Sequence, residues 1–588
     1  MLSSYKFSKA DCAMQNFYTY FANKSQTRIA PNTWDLMALV LVLGVLALLA
    51  WGAKQMGAPY QIGQALPISL NPRELPVYGL FTVLRMLIAM LFSLLFTFIF
   101  GTWAAKSRQA ARLIIPCIDI LQSVPVLPML SITITGFIAL FPGSRLGPEC
   151  AAIFTIFTAQ VWNMVLSFYQ SLRTVPQELK EAADMFHLSA WQRFWRIEVP
   201  FALPGLLWNM MLSMSGSWMF IVASEAISVS NQHISLPGIG SYLNLAIMHA
   251  NIGAVGQAII AMIIIIFCYD QLLFRPLLSW AEKFKAEHVA QEKISPSWII
   301  GLLHRSRLFQ YLGNLIGGFA DAIINFNLFR SKLSKHSIAD NPRVARWLNL
   351  IWSAILIALV IGISYGLLSY IFHHISLSEL LHVFFLGLIT ALRVLIIVLI
   401  STVVWVPIGV WIGLRPRIAE IAQPVVQFLA AFPMNVLFPI VVLAIVKYHL
   451  NVEIWVTPLM LLGVQWYILF NVIAGTIALP KDLKQVADNF GVKGWQWWLR
   501  LILPGIFPFY ITGAITAVGN AWNTSIIAEV VSWGNTTLTA TGLGAYITQY
   551  STTGNFPRIA LGMGVMCIFV LTMNRLVWRP LYNLAQMR

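Results

Sequence analysis

Long uninterrupted apolar runs, such as ALVLVLGVLALLA at 38–50 and VLIIVLISTVV at 394–404, limit this chain more than any other feature. A stretch of about 20 apolar residues is the length of a bilayer-crossing helix, and the chain carries roughly a dozen of them. Backbone polar groups inside a bilayer must be paired internally, which leaves helices and closed barrels. The runs are too continuous for the alternating strands of a barrel. Only 10% of the 588 residues are charged, against roughly 25% in soluble domains. The expected fold is an all-α polytopic membrane protein.

Spans are expected near 35–52, 78–103, 113–140, 150–172, 203–225 and 255–275, and again near 347–371, 383–412, 418–446, 453–475, 505–528 and 558–578. The net charge of +16 fits basic residues gathered in cytoplasmic loops, rather than nucleic-acid binding. Lys106, Arg108 and Arg112, then Lys180, Arg193 and Arg196, then Lys283, Lys285 and Lys293 fall on one side, whereas 226–254 has no Lys or Arg. Arg415 and Arg417, then Lys481, Lys484, Lys493 and Arg500, then Arg575 and Arg579 repeat this. Both termini are therefore expected in the cytoplasm. The polar opening residues are expected to form a cytoplasmic segment, not a cleaved signal. The five cysteines are scattered without a CxxC pair, so neither a metal site nor a disulfide framework is expected.

The chain repeats itself. TVLRMLI (82–88) matches TALRVLI (390–396), and PCIDILQSVP (116–125) matches PVVQFLAAFP (424–433), both 308 residues apart. ELKEAAD (178–184) matches DLKQVAD (482–488) at 304, as do Trp191/Trp495, Pro200/Pro504, Trp218/Trp522, Glu225/Glu529, Gly238/Gly542 and Gly240/Gly544. Six spans per copy give both copies one orientation, related by a pseudo-twofold axis along the membrane normal, with a solute path at their interface. The expected division is a cytoplasmic segment 1–34, a first repeat 35–280, a basic amphipathic linker 281–346 and a second repeat 347–588. Helices lying at the cytoplasmic interface are the favoured reading of the linker; a short extra span around 308–325 is the alternative.

Between the apolar runs lies a charged insert, present twice. Leu179, Ala182, Ala183 and Phe186 share one helical face, as do Leu483, Val486, Ala487 and Phe490. Such a helix either packs on its own chain or the headgroups, or docks into a partner's groove.

Here the sequence resembles the permease subunits of bacterial ABC importers, of the nitrate/taurine/sulfonate type. Their cytoplasmic coupling loop, E-A-A-x-x-x-G with a later proline, appears as Glu181-Ala182-Ala183-Asp184 with His187 at the glycine position and Pro200 beyond. The second copy reads Gln485-Val486-Ala487-Asp488, with Gly491 and Pro504. The Thr82–Arg85 and Thr390–Arg393 pairs, the Q-S-V-P turn at Gln122, and the Trp218…Glu225 and Trp522…Glu529 stretches into a G-x-G turn carry the resemblance further. It covers about 80–290 and 388–588.

The resemblance implies two permease domains fused in one chain, an ATPase dimer bound at the two coupling loops, and a periplasmic solute-binding protein in the bacterial inner membrane system. The chain has no GxxxxGK[ST] loop, so it is expected not to be an enzyme and to carry no cofactor of its own; ATP and Mg would sit on the partner. The solute class implied is a small anion such as nitrate, taurine or a sulfonate. Candidate path residues are Asp119, Gln122, Ser123, Asn163, Ser217, Trp218, Gln427, Asn520, Trp522, Asn523 and Thr524. Polar groups in spans face the bundle interior, although Ser and Thr also bond back to their own helix. Arg85, Arg393, Glu225 and Glu529 are expected to be structural or to contact a partner. A twelve-span ion-coupled secondary transporter is the alternative, for which Asp119 and Asp270 would be the deep acids.

Overall fold

The computed structural model describes residues 33–57, 68–122, 124–229, 232–284, 298–325, part of 351–374, and 375–586. The N-terminal segment, Ser123 and much of the expected span at 347–371 lie outside the described residues. The regular structure of the described residues is helical apart from two short hairpins. Its first half runs α1 (Thr33–Met56), α2 (Leu75–Phe96), α3 (Arg108–Leu121), α4 (Val126–Leu140), α5 (Leu146–Arg173), α6 (Gln177–Met185), α7 (Val199–Glu225), hairpin β1–β2 (Ala226–Val229, Gln232–Ser235), α8 (Ile239–Met248) and α9 (Ile252–Tyr269). Linker helices α10 (Trp298–Arg305) and α11 (Arg307–Ile324) follow. The second half runs α12 (Leu377–Gly413), α13 (Pro416–Ala431), α14 (Phe438–Lys447), α15 (Val452–Leu462), α16 (Gln465–Ile477), α17 (Lys481–Asn489), α18 (Leu503–Ala528), hairpin β3–β4 (Val530–Trp533, Thr536–Thr539), α19 (Leu543–Thr553), α20 (Phe556–Met573) and α21 (Arg579–Gln586).

Among the described residues, nine helical stretches are long and apolar enough to cross a membrane, or ten when the one bent pair is counted as a span. Two expected spans are broken. The run at 113–140 divides into α3 and α4 before Pro125, and that at 418–446 divides at Phe432–Pro433, where its two parts bend by 72°. Proline cannot donate to the helix ladder and pushes the preceding residue out of the helical region, as the extended Phe432 shows (φ −69, ψ 129).

The repeat extends to local irregularities. Single π-helical turns interrupt the helices at Phe194–Glu198 and Trp498–Ile502, and at Asp270–Phe274 and Asn574–Trp578. Each hairpin is antiparallel and follows the glutamate that ends the long helix before it.

The described residues group into two compact units. One comprises those within 33–53, 167–209 and 267–325; the other comprises those within 54–166, 210–266 and 351–586. In the first, the linker is tied to the segment after α6: the Trp191 indole N–H donates to the Ile323 carbonyl (3.3 Å), and Gln192 and Arg196 both donate to Asn325 Oδ1 (3.1 and 3.0 Å). Buried Asp35 on α1 accepts from the Ser306 hydroxyl (2.6 Å) and the Leu308 amide (3.0 Å). Tyr311, Leu315, Phe319 and Ile323 form an exposed apolar stripe on α11, the pattern of a helix at a bilayer surface. In the second unit the two repeats meet directly. Val126, Met219 and Phe220 of the first cluster with Ile527 of the second, and the Gly534 amide donates to the Ile247 carbonyl (2.9 Å).

Candidate functional site

The short helices α6 and α17 have matching geometry. Each starts after a proline N-cap, Pro176 (φ −54, ψ 143) and Pro480 (φ −54, ψ 134). Each ends in a left-handed residue, His187 (φ 51) and Gly491 (φ 63). The Leu188 amide reaches back to the Ala183 carbonyl (3.0 Å) and the Val492 amide to that of Ala487 (2.9 Å), closing the same C-cap. His187 therefore takes the backbone conformation of the glycine it replaces.

The faces of these helices differ from the sequence expectation. Ala183 is wholly buried and Ala487 nearly so, while Leu179 and Ala182 are half-buried; the alanines pack inward on their own chain. Met185 and Phe186 are exposed on α6, and Leu483, Val486 and Phe490 on α17. Glu181, Asp184, Gln485 and Asp488 also face solvent. The outward surface thus mixes large apolar and charged groups, and the small residues set how closely each helix sits.

Two matched charge clusters lie at the starts of α5 and α15. Arg85 is fully buried, donating through Nε to Glu149 (2.6 Å) and through Nη1 to Glu225 (2.7 Å). Glu225 also accepts from the Thr82 hydroxyl (2.7 Å) and the Gly240 amide (2.7 Å), and Thr82 accepts from the Ile239 amide (3.2 Å). The cluster joins α2, the start of α5, the end of α7 and the turn into α8. In the second repeat Arg393 bonds Glu529 (3.2 Å) and Glu453, and Glu529 accepts from Thr390 (2.9 Å) and the Ala545 amide (3.1 Å). A Cβ at Gly238 or Gly542 would overlap the Glu225 or Glu529 carboxylate, so these glycines are dictated by close approach. Both arginines are occupied by paired carboxylates. Glu149 and Glu453 were missed in the sequence, although they stand 304 residues apart like the other matched pairs.

The second repeat adds an outer cluster. Arg558 Nε donates to Glu379 (2.6 Å), as does the Tyr546 hydroxyl (3.0 Å); burial and the facing carboxylate hold the Tyr546 phenol above its ordinary pKa.

Where the repeats meet, a cavity of about 20 Å³ is lined by Ser215, Met219, Phe432, Met434, Tyr467 and Asn520, among others. That is room for one water, given that about 10–15 Å³ is the minimum. The surrounding polar contacts cross between repeats: Asn435 Nδ2 to the Met219 carbonyl (3.2 Å), the Val126 amide to Asn523 Oδ1 (3.1 Å), and Gln427 Nε2 to Met211 Sδ (3.1 Å). Of the candidate path residues, Asn520 lines this cavity, and Gln427, Asn523 and Thr524 bridge the repeats beside it. Ser217 and Thr524 bond back to carbonyls of their own helix (both 2.8 Å). Trp218 and Trp522 are packing residues outside the cavity wall: both are 2% exposed, and Trp522 stacks on Phe569. Gln122 and Asn163 are exposed and away from it. Asp270 pairs with Arg275 (3.3 Å). Among the described residues no group of acids, histidines and cysteines could hold a metal.

The model of the family described as "binding-protein-dependent transport system inner membrane component" matches twice, over 97–274 and 405–578. Relatives include the bicarbonate transport system permease protein CmpB of Synechococcus elongatus, 26% identical over 25% of this chain and 50% of its own. The nitrate import permease protein NrtB of Leptolyngbya laminosa is 24% identical over 32% of this chain and 63% of its own. The glycine betaine/proline betaine transport system permease protein ProW of Escherichia coli is 27% identical over 37% of this chain and 59% of its own. The chain thus spans about half the length of the first of these relatives. Both matches contain one short α6- or α17-type helix and end at the last residue of a π turn, Phe274 or Trp578. The chain therefore belongs to the binding-protein-dependent transport system inner membrane components, a family of multi-pass transport permeases, and carries that family's domain twice.

Proposed function

We propose that the chain is the complete membrane conduit of an ATP-driven importer, with α6 and α17 as its two coupling helices. The observation that carries this reading is the matched pair itself: two short helices with the same caps, each bearing exposed apolar and acidic residues. One ATPase subunit would dock on each, binding ATP and Mg that this chain has no loop to hold. Closure of the ATPase dimer would draw α6 and α17 together and rock the helices around the small cavity beside Asn520 and Met219. A binding protein would deliver solute at the opposite face, with both termini cytoplasmic in the bacterial inner membrane.

The solute is a small one, and an anion such as nitrate, bicarbonate, taurine or another sulfonate is the reading we carry. Relatives named for bicarbonate and nitrate support it; others are named for glycine betaine, carnitine and proline betaine, which are zwitterions. The cavity wall is neutral and both buried arginines are already paired, so selection by charge falls to the binding protein.

The test is uptake of labelled nitrate, bicarbonate, taurine and glycine betaine into vesicles containing the whole assembly. Uptake that needs internal ATP and survives an uncoupler supports the proposal. Uptake abolished by the uncoupler with ATP present would indicate an ion-coupled transporter instead.

A further inference from the structure

The second repeat contains a further groove, separate from the cavity beside Asn520. Its volume is about 330 Å³, within the range of small-ligand pockets, roughly 300–1,000 Å³. Val406, Leu503, Ile506 and Phe507 form the wall, and Leu499 and Leu584, each about half exposed, form the rim. A single polar pair sits inside, Thr402 Oγ1 and Tyr510 Oη at 2.9 Å. Leu399, Val403 and Val404 on the same helix as Thr402 are exposed, so this is a side that faces lipid.

Two observations say what fills it. The elements bearing Leu499 and Leu584 also carry exposed Arg500 and Arg579, with Arg575 one turn before, and 494–528 and 556–588 contain no Asp or Glu. No ion-pair or hydrogen-bond partner is seen for Arg500 among the described residues. In the first repeat its counterpart Arg196 is already held by Asn325 of the linker. The counterparts of Leu499, Leu584, Thr402 and Tyr510 are Trp195, Trp280, Leu94 and Leu206. The first copy thus has larger rings at the rim, no polar pair, and a linker on its arginine; the second has space and exposed cationic groups.

We propose that the groove holds one acyl chain of an anionic membrane phospholipid, with Arg500 and Arg579 at its headgroup. Basic groups at the cytoplasmic end of spans attract such headgroups, and an acyl chain fits an apolar groove open to the bilayer. This site does not depend on coupling to an ATPase.

The test uses the full chain, purified in mild detergent, exchanged into discs of mixed phosphatidylglycerol and phosphatidylcholine, and weighed by native mass spectrometry. Wild type should retain one phosphatidylglycerol in preference to phosphatidylcholine. Leu499→Trp with Leu584→Trp, which installs the first repeat's residues, should lose the retained lipid. Arg500→Gln with Arg579→Gln, on the surface and harmless to packing, should keep a lipid but lower the preference about fivefold for each arginine neutralised. Equal retention by wild type and the tryptophan variant, both monodisperse, would overturn the site. An unchanged preference in the glutamine variant would overturn the headgroup assignment.

Discussion

The two charge clusters use the same residue types at matched positions but differ in exposure. Around Arg85 all three side chains are sealed, at 0% for Arg85 and Glu225 and 2% for Glu149. Around Arg393 the carboxylate of Glu453 is 45% exposed, and Arg393 also donates to the Thr541 carbonyl (2.7 Å), while Thr541 donates twice to Glu453. The first cluster is a core staple. The second reaches the surface and ties down the chain after β4. Duplication preserved the chemistry while solvent access diverged, so the same substitution should have unequal effects.

The largest expected effect is Arg85→Leu. It strands two buried carboxylates and should cost about 3–5 kcal/mol, enough to remove most folded protein on fluorescence-detected size exclusion. Arg393→Leu leaves only Glu529 deeply stranded, because water can reach Glu453, and should cost roughly 1–3 kcal/mol. Equal losses, or the reverse order, would break the comparison. Next come Gly238→Ala and Gly542→Ala, each forcing a methyl into a carboxylate. Both should lower thermal stability by roughly 1–3 kcal/mol, and Gly542→Ala should be the milder because its cluster is the looser one. The smallest effect is His187→Gly. It relieves a left-handed non-glycine residue but adds freedom to the unfolded chain, for a net gain of about 0.5 kcal/mol. Gly491→His should lose a similar amount, and a melting series on both would show whether the two caps are interchangeable.

Much of this was visible in the sequence, because repeats and apolar runs are local signals. The constant 304-residue offset aligns α6 with α17, both G-x-G turns and two pairs of π turns, whereas the π turn at Thr97–Gly101 has no counterpart within α12. Glu149 and Glu453 obeyed the same offset but escaped notice, since their partner Arg85 or Arg393 is about 60 residues away and no helical period links them. The breaks before Pro125 and at Pro433 were written in the proline chemistry, yet continuous hydropathy hid them. The coupling helices teach a different lesson. A 3.6-residue period identifies an apolar face without saying which neighbour covers it, and so Ala183 and Ala487 proved to be inward and Phe186 and Phe490 outward. Whether Asn520 or Trp522 reaches the cavity depends on helix rotation, which packing across the repeats decides.

The most direct test of the account is what leaves the membrane with this chain. The tagged protein and the variant Phe186→Glu/Phe490→Glu would be extracted in mild detergent and their partners identified. These two side chains are exposed, so the variant should fold as the wild type does. The account predicts a P-loop ATPase bound to the wild type and lost from the variant. An ATPase retained equally by both, or none recovered with folded wild type under several mild conditions, would contradict the assignment of α6 and α17 as coupling helices.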